Sequence, residues 1–492
     1  MLLLGIDIGT SFIKVSAVDA SSQKSVASAQ YPKTETPITS LQSGWAEQSP
    51  EMWWEHTCKA IQALKEQGKI DFADVAAIGI SYQMHGLVVV DKNQNVLRDS
   101  IIWCDSRAVK TGEEAFNTIG ENTCSSCLLN SPGNFTASKL GWVKKNEPGI
   151  FAKIDKIMLP GDYIAMKLTG EITTTSSALS EGILFDFKKN QISNDVMKYF
   201  GFEDSLIPTV QPLFSSHGKL LPAIAAELSL KQNIPVTYKA GDQLNNALSL
   251  NVLKPGEVAA TAGTSGVIYA VTDQLFSDKQ SRVNAFAHVN HSADEKRLGV
   301  LLCINGTGIM NSWIRKLCGE GLSYKEMNAQ SSKIEPGSEG LFVLPFGNGA
   351  ERMLENKIVD AHINNIDLNK HGKAHIFRAV QEGIAFAFRY GLDIMRENGL
   401  HPTVVRAGRA NLFLSDVFIE SFVNTTGVAV ELYENDGSAG AALGAGIGAG
   451  IFKSAEEAFS QFKPLKKVEP TNTSLYDSLY KEWKKLLEKH LS

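Results

Sequence analysis

The residues best suited to chemistry gather at a bend that occurs twice. IDIGTSFIK, near the start, places Asp7 in a run of apolar strand formers just ahead of Gly9, Thr10 and Ser11, with Lys14 on the returning strand. EVAATAGTSGVIYAVTD repeats that plan, with Gly263, Thr264 and Ser265 at its bend. A Gly-Thr-Ser bend offers backbone N–H groups and two hydroxyls, a concave donor set that binds anions without a Walker sequence. Two copies could grip a polyphosphate from both sides. Asp7 would then face the phosphate, which is repulsive unless a divalent cation lies between. A Mg²⁺ held by a carboxylate, waters and phosphate oxygens removes the conflict. Lys14 could neutralise phosphate charge. Taken singly, Asp7 reads equally well as a turn-capping carboxylate and Lys14 as a solvated edge lysine. The second copy of the bend weighs against both.

A second constellation is YKAGDQLNNALSL, which sets Asp242 at a strand end before an apolar helix. Asp242 reads as an ordinary N-cap, or as the base that takes a proton from an attacking hydroxyl in phosphoryl transfer. Gln243, Asn245 and Asn246 add polar side chains. SYQMHG puts Met84 and His85 at another strand end. That pair gives a polyol an apolar surface and a hydrogen-bonding ring, or is a core methionine beside a satisfied histidine. In WCDSR, Trp103 supplies an aromatic face of the kind that holds sugars, whereas Asp105 and Arg107 equally form a structural pair. NGTGIMNSW (Gly306, Gly308), RAGRANLFLSD (Gly408, Asn411) and NDGSAGAALGAG (Gly437, Gly440) are Gly-rich stretches of the second half. Glycines at loop positions let a flat ring approach backbone closely, so these three suit an adenosine pocket.

Other chemistries are absent. There is no GxxxxGK[ST], no GxGxxG after a strand, no HExxH and no GxSxG. The late GAGIGAG has the wrong spacing for a dinucleotide site, and its small residues suit close helix packing. His288 and His291 have no third ligand nearby and are expected at the surface. Cys124 and Cys127 form a lone CxxC, expected to be two thiols in a loop. The chain of 492 residues, 43% hydrophobic and 21% charged, has an ordinary globular balance. Its formal net charge of −5 argues against a general nucleic-acid binder. The N-terminus lacks a basic leader, and no run approaches ~18 consecutive apolar residues. A soluble, reducing, cytoplasmic setting with no membrane contact is expected.

The elements that must position these residues follow from periodicity. Strands are predicted over 2–8, 12–18 and 25–31, then a helix capped by Ser49 and Pro50 with apolar residues at Trp54, Cys58, Ile61 and Leu64. Further helices are predicted over 135–146 and 163–168. In the second half, strands are predicted over 258–261 and 267–271, with LGVLLCIN as the third. A duplicated βββ-plus-helices unit implies an α/β chain of two similar lobes. The boundary falls near 245–256, giving domains 1–245 and 246–492 with a cleft between them.

In order along the chain, GIDIGTS, GWAEQSPEMWW, QMHG, IIWCDSR, PGNFTASKLGWVKKNEP, LPGDYIAMKLTGE, AGDQ, TAGTSG and DGSAGAALGAG resemble the FGGY carbohydrate kinases over nearly the whole length. The resemblance implies an actin-like, ribonuclease-H-like fold with duplicated βββαβαβα lobes, ATP in the cleft, and Mg²⁺. It implies Asp242 as general base and Asp7 as the metal-side carboxylate, acting through water. Met84, His85, Asn134, Asp242 and Gln243 would touch a small sugar, Thr264 and Gly308 phosphates, and the loop from Gly408 to Asn411 adenosine. A homodimer would be in keeping with the family. Three stretches depart from the family pattern: AGRAN replaces a GGGA-type loop, GAERML a GERTP-like segment, and the second signature is degraded around HINNIDL. Within the family, QMHG and its neighbours carry the choice of sugar. The rivals are a kinase for gluconate or L-ribulose and an actin-like nucleotide switch acting on a protein.

Overall fold

The computed structural model describes residues 1–491 and divides the chain into two compact units. The first comprises Met1–Asn251, Phe286–Leu298 and Asp436–Phe462; the second comprises Val252–Ala285, Gly299–Asn435 and the chain from Lys463 onward. Residues 436–462, late in the sequence, thus pack with the first unit.

The first unit is built on β1 (Leu2–Ile8), β2 (Ile13–Asp19), β3 (Lys24–Tyr31), β4 (Val75–Tyr82) and β5 (Val236–Gly241), in the order β5-β4-β1-β2-β3. The meander β1-β2-β3 is antiparallel, while β4 joins β1 and β5 joins β4 in parallel. β1 reads LLLGIDI because both of its faces are covered. Leu2, Leu4, Ile6 and Ile8 enter a core with Trp53, Ile61 and Leu64 of the Pro50–Glu66 helix and with Ile164 and Leu168 of the Pro160–Thr169 helix. Leu3, Gly5 and Asp7 alternate onto the other face, which the Gly437–Gly448 helix covers.

That helix lies almost backbone to backbone on the sheet. A Cβ on Gly5 would come within 1.8 Å of Ser438 O, one on Gly79 within 2.0 Å of Ala441 O, and one on Gly448 within 2.0 Å of Thr237 O. The small residues of GAGIGAG do serve close packing. NDGSAGAALGAG, expected as a loop of the second half, is instead the start of this helix in the first unit.

The second unit repeats the arrangement with β6 (Glu257–Ala262), β7 (Gly266–Thr272), β8 (Asn284–Ala287), β9 (Leu298–Ile304), β10 (Val404–Gly408), β11 (Val430–Tyr433) and β12 (Lys466–Val468). The order is β8-β9-β7-β6-β10-β11-β12. β6 takes the place of β1, β7 of β2, β9 of β3, and β10 and β11 of β4 and β5, so LGVLLCIN is the third strand of the copy.

Two expectations need correction. His288 is completely buried and His291 half-buried, because residues 286–298 fold onto the first unit. There Ala287 N donates to Ser180 Oγ at 2.9 Å, and the His291 ring lies edge-on to Phe185 and Phe187. Cys124 and Cys127 lie in a single π-helical turn, Cys124–Leu128, rather than a loop, and Cys124 is buried. Among the described residues none of the six cysteines is in a disulfide, no group of three or more His, Cys, Asp or Glu could hold a metal, and no helix is long and apolar enough to cross a membrane.

Candidate active site

The carboxyl ends of β1, β4 and β5 carry the candidate residues of the first unit. The bend after β1 is closed by Gly9 N donating to Phe12 O at 3.0 Å. Thr10 is fixed on three sides. Its hydroxyl donates to Gln83 Oε1 at 3.2 Å and accepts from Trp103 Nε1 at 3.0 Å, while Gln48 Nε2 donates to its carbonyl at 2.9 Å. Gln83 Nε2 and Trp53 Nε1 both donate to Gln48 Oε1, at 3.1 Å each. The bend is therefore held in shape before any ligand arrives. Trp103 stays 54% exposed, leaving a ring face open beside Thr10.

Asp7 stands opposite Lys14 in one register and Ser81 in the other. Its carboxyl pKa is raised, first by burial and further by Asp436, against the Ser81 hydroxyl and Lys14. Lys14 is not a bare edge lysine, since its ammonium pairs with Asp436 at 2.6 Å. Asp436 caps the Gly437–Gly448 helix, accepting from Ser438 N at 3.0 Å and Ser438 Oγ at 2.7 Å. Gly437 must lack a side chain, because a Cβ there would lie 2.7 Å from Asp7 Oδ2. Asp7 and Asp436 are neighbouring carboxylates, the hard oxygen ligands that Mg²⁺ takes. That ion keeps most of its waters and takes one or two carboxylates together with substrate phosphates.

Asp242 opens the Asp242–Ser249 helix at the end of β5. The cap position belongs to Gly241, so the plain N-cap reading of Asp242 does not hold. Burial, and then the charge of Asp7, push its pKa up to about 7, opposed by hydrogen bonds from Gln243. A carboxylate with such a pKa is half-deprotonated near neutrality and suited to accept a proton there.

Around it lie the side chains expected to face a sugar. Met84 is almost buried, and its Cγ would come within 2.7 Å of a Cβ on Gly241. His85 adopts left-handed backbone (φ 63°) and sits between Phe135 and Phe286, with ring centroids at 4.8 and 5.4 Å. Asn134 Nδ2 donates to Asp105 O. The buried acceptors Asn134 Oδ1 and Gln243 Oε1 have no protein partner. Asp105 and Arg107 form the structural pair, Nη2 to Oδ2 at 2.7 Å, with Arg107 stacked on Trp45.

Lys139, from the PGNFTASKLGWVKK stretch, is fully buried beneath this site. Its Nζ donates to His85 O at 2.8 Å and Ile102 O at 3.0 Å, tying together the segments that carry His85 and Trp103. Burial pushes its pKa down to about 7. Lys139→Met keeps the length but removes both donors. It should raise KM for the sugar about tenfold and lower stability by about 1–3 kcal/mol, as expected when buried carbonyls lose their donor. Steady-state kinetics and urea unfolding read the two effects.

In the second unit the corresponding bend, Gly263 to Ser265, is braced by a helix. Gly308 N donates to Gly263 O at 2.9 Å and Ile309 N to Thr264 O at 3.0 Å, both from the first turn of the Gly308–Cys318 helix. Gly308 must be glycine, since a Cβ would lie 2.1 Å from Gly263 O. Asn411 brings its Nδ2 to 3.5 Å of the Cβ position on Gly263, so the AGRAN loop meets this bend. Gly408 ends β10 beside Asn435. In GAERML, Glu351 accepts from Asn305 N and Gly306 N, both at 2.9 Å, and supports the loop ahead of Gly308. Met353 and Leu354 are buried.

The structure thus places Asp7, Gly9, Thr10, Ser11, Lys14, Met84, His85, Trp103, Asn134, Asp242 and Gln243 in the first unit, and Gly263, Thr264, Ser265, Gly308, Gly408 and Asn411 in the second. Sequence reasoning missed Gln48, Lys139, Glu181, Phe286 and Asp436. Gln48 and Lys139 stood inside stretches quoted for resemblance, but nothing in their spacing gave them a role.

Comparison with known proteins fixes the class. Residues 2–249 match the N-terminal domain and residues 258–451 the C-terminal domain of the FGGY family of carbohydrate kinases. The chain belongs to that family and is a phosphotransferase with an alcohol group as acceptor. Similar curated proteins include the xylulose kinase of Bacillus subtilis, 29% identical over 469 residues, which cover 94% of this chain and 91% of that one. The xylulose kinase of Escherichia coli is 29% identical, over 94% of this chain and 92% of its own. Among solved structures, a protein from Brucella ovis described as a xyloylose kinase superposes with a TM-score of 0.89 at 26% identity, covering 99% of both chains. A gluconate kinase from Lactobacillus acidophilus shares the fold, with a TM-score of 0.89 at 20% identity over 100% of this chain and 98% of its own.

Proposed function

We propose that the chain is a xylulokinase, transferring the γ-phosphoryl group of ATP to O5 of D-xylulose to give D-xylulose 5-phosphate and ADP. The observation that carries this reading is Asp242, a half-buried carboxylate at a strand end whose pKa is pushed up to about 7, directly after Gly241, against which Met84 packs. Similarity to xylulose kinases over nearly the whole chain supports the choice of sugar.

In this reading Asp242 accepts the O5 proton as that oxygen attacks the γ-phosphorus. The O5–P bond forms, the bond from phosphorus to the bridging oxygen breaks, and ADP leaves. Asn134 Oδ1 and Gln243 Oε1, buried without protein partners, accept hydrogen bonds from sugar hydroxyls. Met84 and the open face of Trp103 pack against the carbon skeleton, and His85 bonds a hydroxyl. Thr10 with Gly9 and Ser11, and Thr264 with Gly263 and Ser265, hold phosphate oxygens. Gly408 and Asn411 line the adenosine. Mg²⁺, when bound beside Asp7 through water, supplies charge neutralisation for the phosphates. Lys14 balances Asp436 and so keeps the carboxylates near Asp7 from accumulating charge.

A coupled ADP-release assay over a panel of D-xylulose, L-ribulose, gluconate and glycerol tests the reading. D-xylulose should lead in kcat/KM by about tenfold or more, the discrimination a few buried hydrogen bonds confer. A different sugar in the lead reassigns the substrate. ATP hydrolysis indifferent to every sugar would point to a nucleotide switch instead.

A further inference from the structure

Glu181 ends the Ser176–Glu181 helix, and nothing in the chemistry above uses it. It is 0% exposed, and neither carboxyl oxygen has a hydrogen-bond partner in the protein. Orphaned buried carboxyls are costly and uncommon. This one is wedged against the main chain just ahead of Asp242, where a Cβ on Gly241 would lie 2.6 Å from its Oε2. The main-chain carbonyl of the same residue meets His85 Nδ1 at 3.0 Å. A carbonyl can only accept, so Nδ1 is a protonated, donating nitrogen.

We propose that Glu181 is a positioning residue for the acceptor sugar. Its carbonyl sets the tautomer and aim of His85, and its carboxyl braces the end of β5 that presents Asp242. The inference rests on the function proposed above and assigns the way two of its residues are held. Both attachments belong to one residue at a helix end, so the histidine and the base are placed by a common support.

The brace works as a neutral acid. Burial pushes the Glu181 pKa well above the usual carboxylate range, Asp242 and Asp162 add to the shift, and the Tyr82 hydroxyl opposes it, short of a formed hydrogen bond. Those are the groups that face it: Tyr82 from β4, Asp162 from the Pro160–Thr169 helix, and Asp242. Asp162 is already paired with Lys239 at 2.6 Å, leaving no cation for Glu181. Protonated, Glu181 fills the space behind Gly241 without setting a second negative charge against the base.

The test compares the parent with E181Q and E181A. Imidazole ¹⁵N resonances of His85, assigned with His85→Gln, are recorded on ligand-free protein, and kcat and KM are measured for D-xylulose and ATP. The parent and E181Q should show one tautomer, protonated at Nδ1, with kinetic constants agreeing within about threefold, because glutamine is a neutral isostere. E181A keeps the main-chain carbonyl, and with it the Nδ1-protonated tautomer, but loses the carboxyl against Gly241; it should raise KM for the ketose about tenfold, leaving KM for ATP unchanged, the pattern of a lost acceptor-side interaction. E181A matching the parent in KM for the ketose overturns the proposal, as does a parent His85 protonated at Nε2 instead of Nδ1. So does E181Q failing as badly as E181A, since a charge would then be required. If E181A does not fold, E181D, one methylene shorter, must show the same split. A parent that phosphorylates no ketose yet shows the stated His85 tautomer would sink the function and leave the histidine placement standing. Turnover of ketose with the other tautomer would do the reverse.

Discussion

Asp242→Ala should lower kcat for phosphorylation by about 10²–10⁴-fold, the usual worth of a general base, while KM for ATP stays near the parent value. The carboxylate lies at the end of β5, and truncating it removes the proton acceptor without touching either Gly-Thr-Ser bend. The parent should show a matching pH dependence. With the Asp242 pKa pushed up to about 7, kcat/KM should fall toward acid as the base takes up a proton, and level off above that pH. The sign follows from the role: a base works only when deprotonated. Asp242→Asn, with no titrating group there, should show low activity and no such limb. Steady-state rates between acid and mildly alkaline pH decide it. A D242A variant that keeps near-parent turnover would remove the base from Asp242.

Gly5→Val should prevent the first unit from holding its fold. A side chain at this position points into the Gly437–Gly448 helix, and even a Cβ would stand 1.8 Å from Ser438 O and 2.6 Å from Ala442 N. Both neighbours are backbone, so relief requires the helix to move as a whole. Overpacking a tight interior costs about 1–3 kcal/mol and more where nothing can give, against a total stability of about 5–15 kcal/mol. Urea unfolding should show the loss, or the variant should be recovered only as aggregate. Gly149→Ala is the control: nothing lies within 4 Å of its Cβ position, and its unfolding curve should match the parent's. A G5V chain as stable as the parent would mean that the helix does not sit where it is placed.

Much of this architecture could be read from local pattern. Apolar runs broken by Gly-Thr-Ser gave the paired strands of each unit, and LGVLLCIN was recognisable as the third strand of the copy. Asp242 could be read as a candidate base from its place at a strand end before an apolar helix, although the same place reads equally as an ordinary N-cap. What was hidden depended on distant partners. NDGSAGAALGAG reads as loop or helix with equal ease, since glycine and alanine carry little periodic signal, and only packing on β1 and β4 decides. His288 looked exposed because its burial comes from residues more than a hundred positions earlier, such as Ser177. Lys139 and Glu181 occur among ordinary polar residues, and the sequence does not say that one binds two carbonyls or that the other is sealed without a donor. Lys14 gave no sign of Asp436, 422 positions away along the chain.

The late return of residues 436–448 has a consequence for biosynthesis. The strands β1 to β5 of the first sheet precede residue 251, but the element that covers one of their faces begins only at Gly437, so it leaves the ribosome long after them. During most of synthesis Leu3 and the glycines beside it would lie open to water and to neighbouring nascent chains. A chaperone that shelters that surface during synthesis would raise the yield of native enzyme.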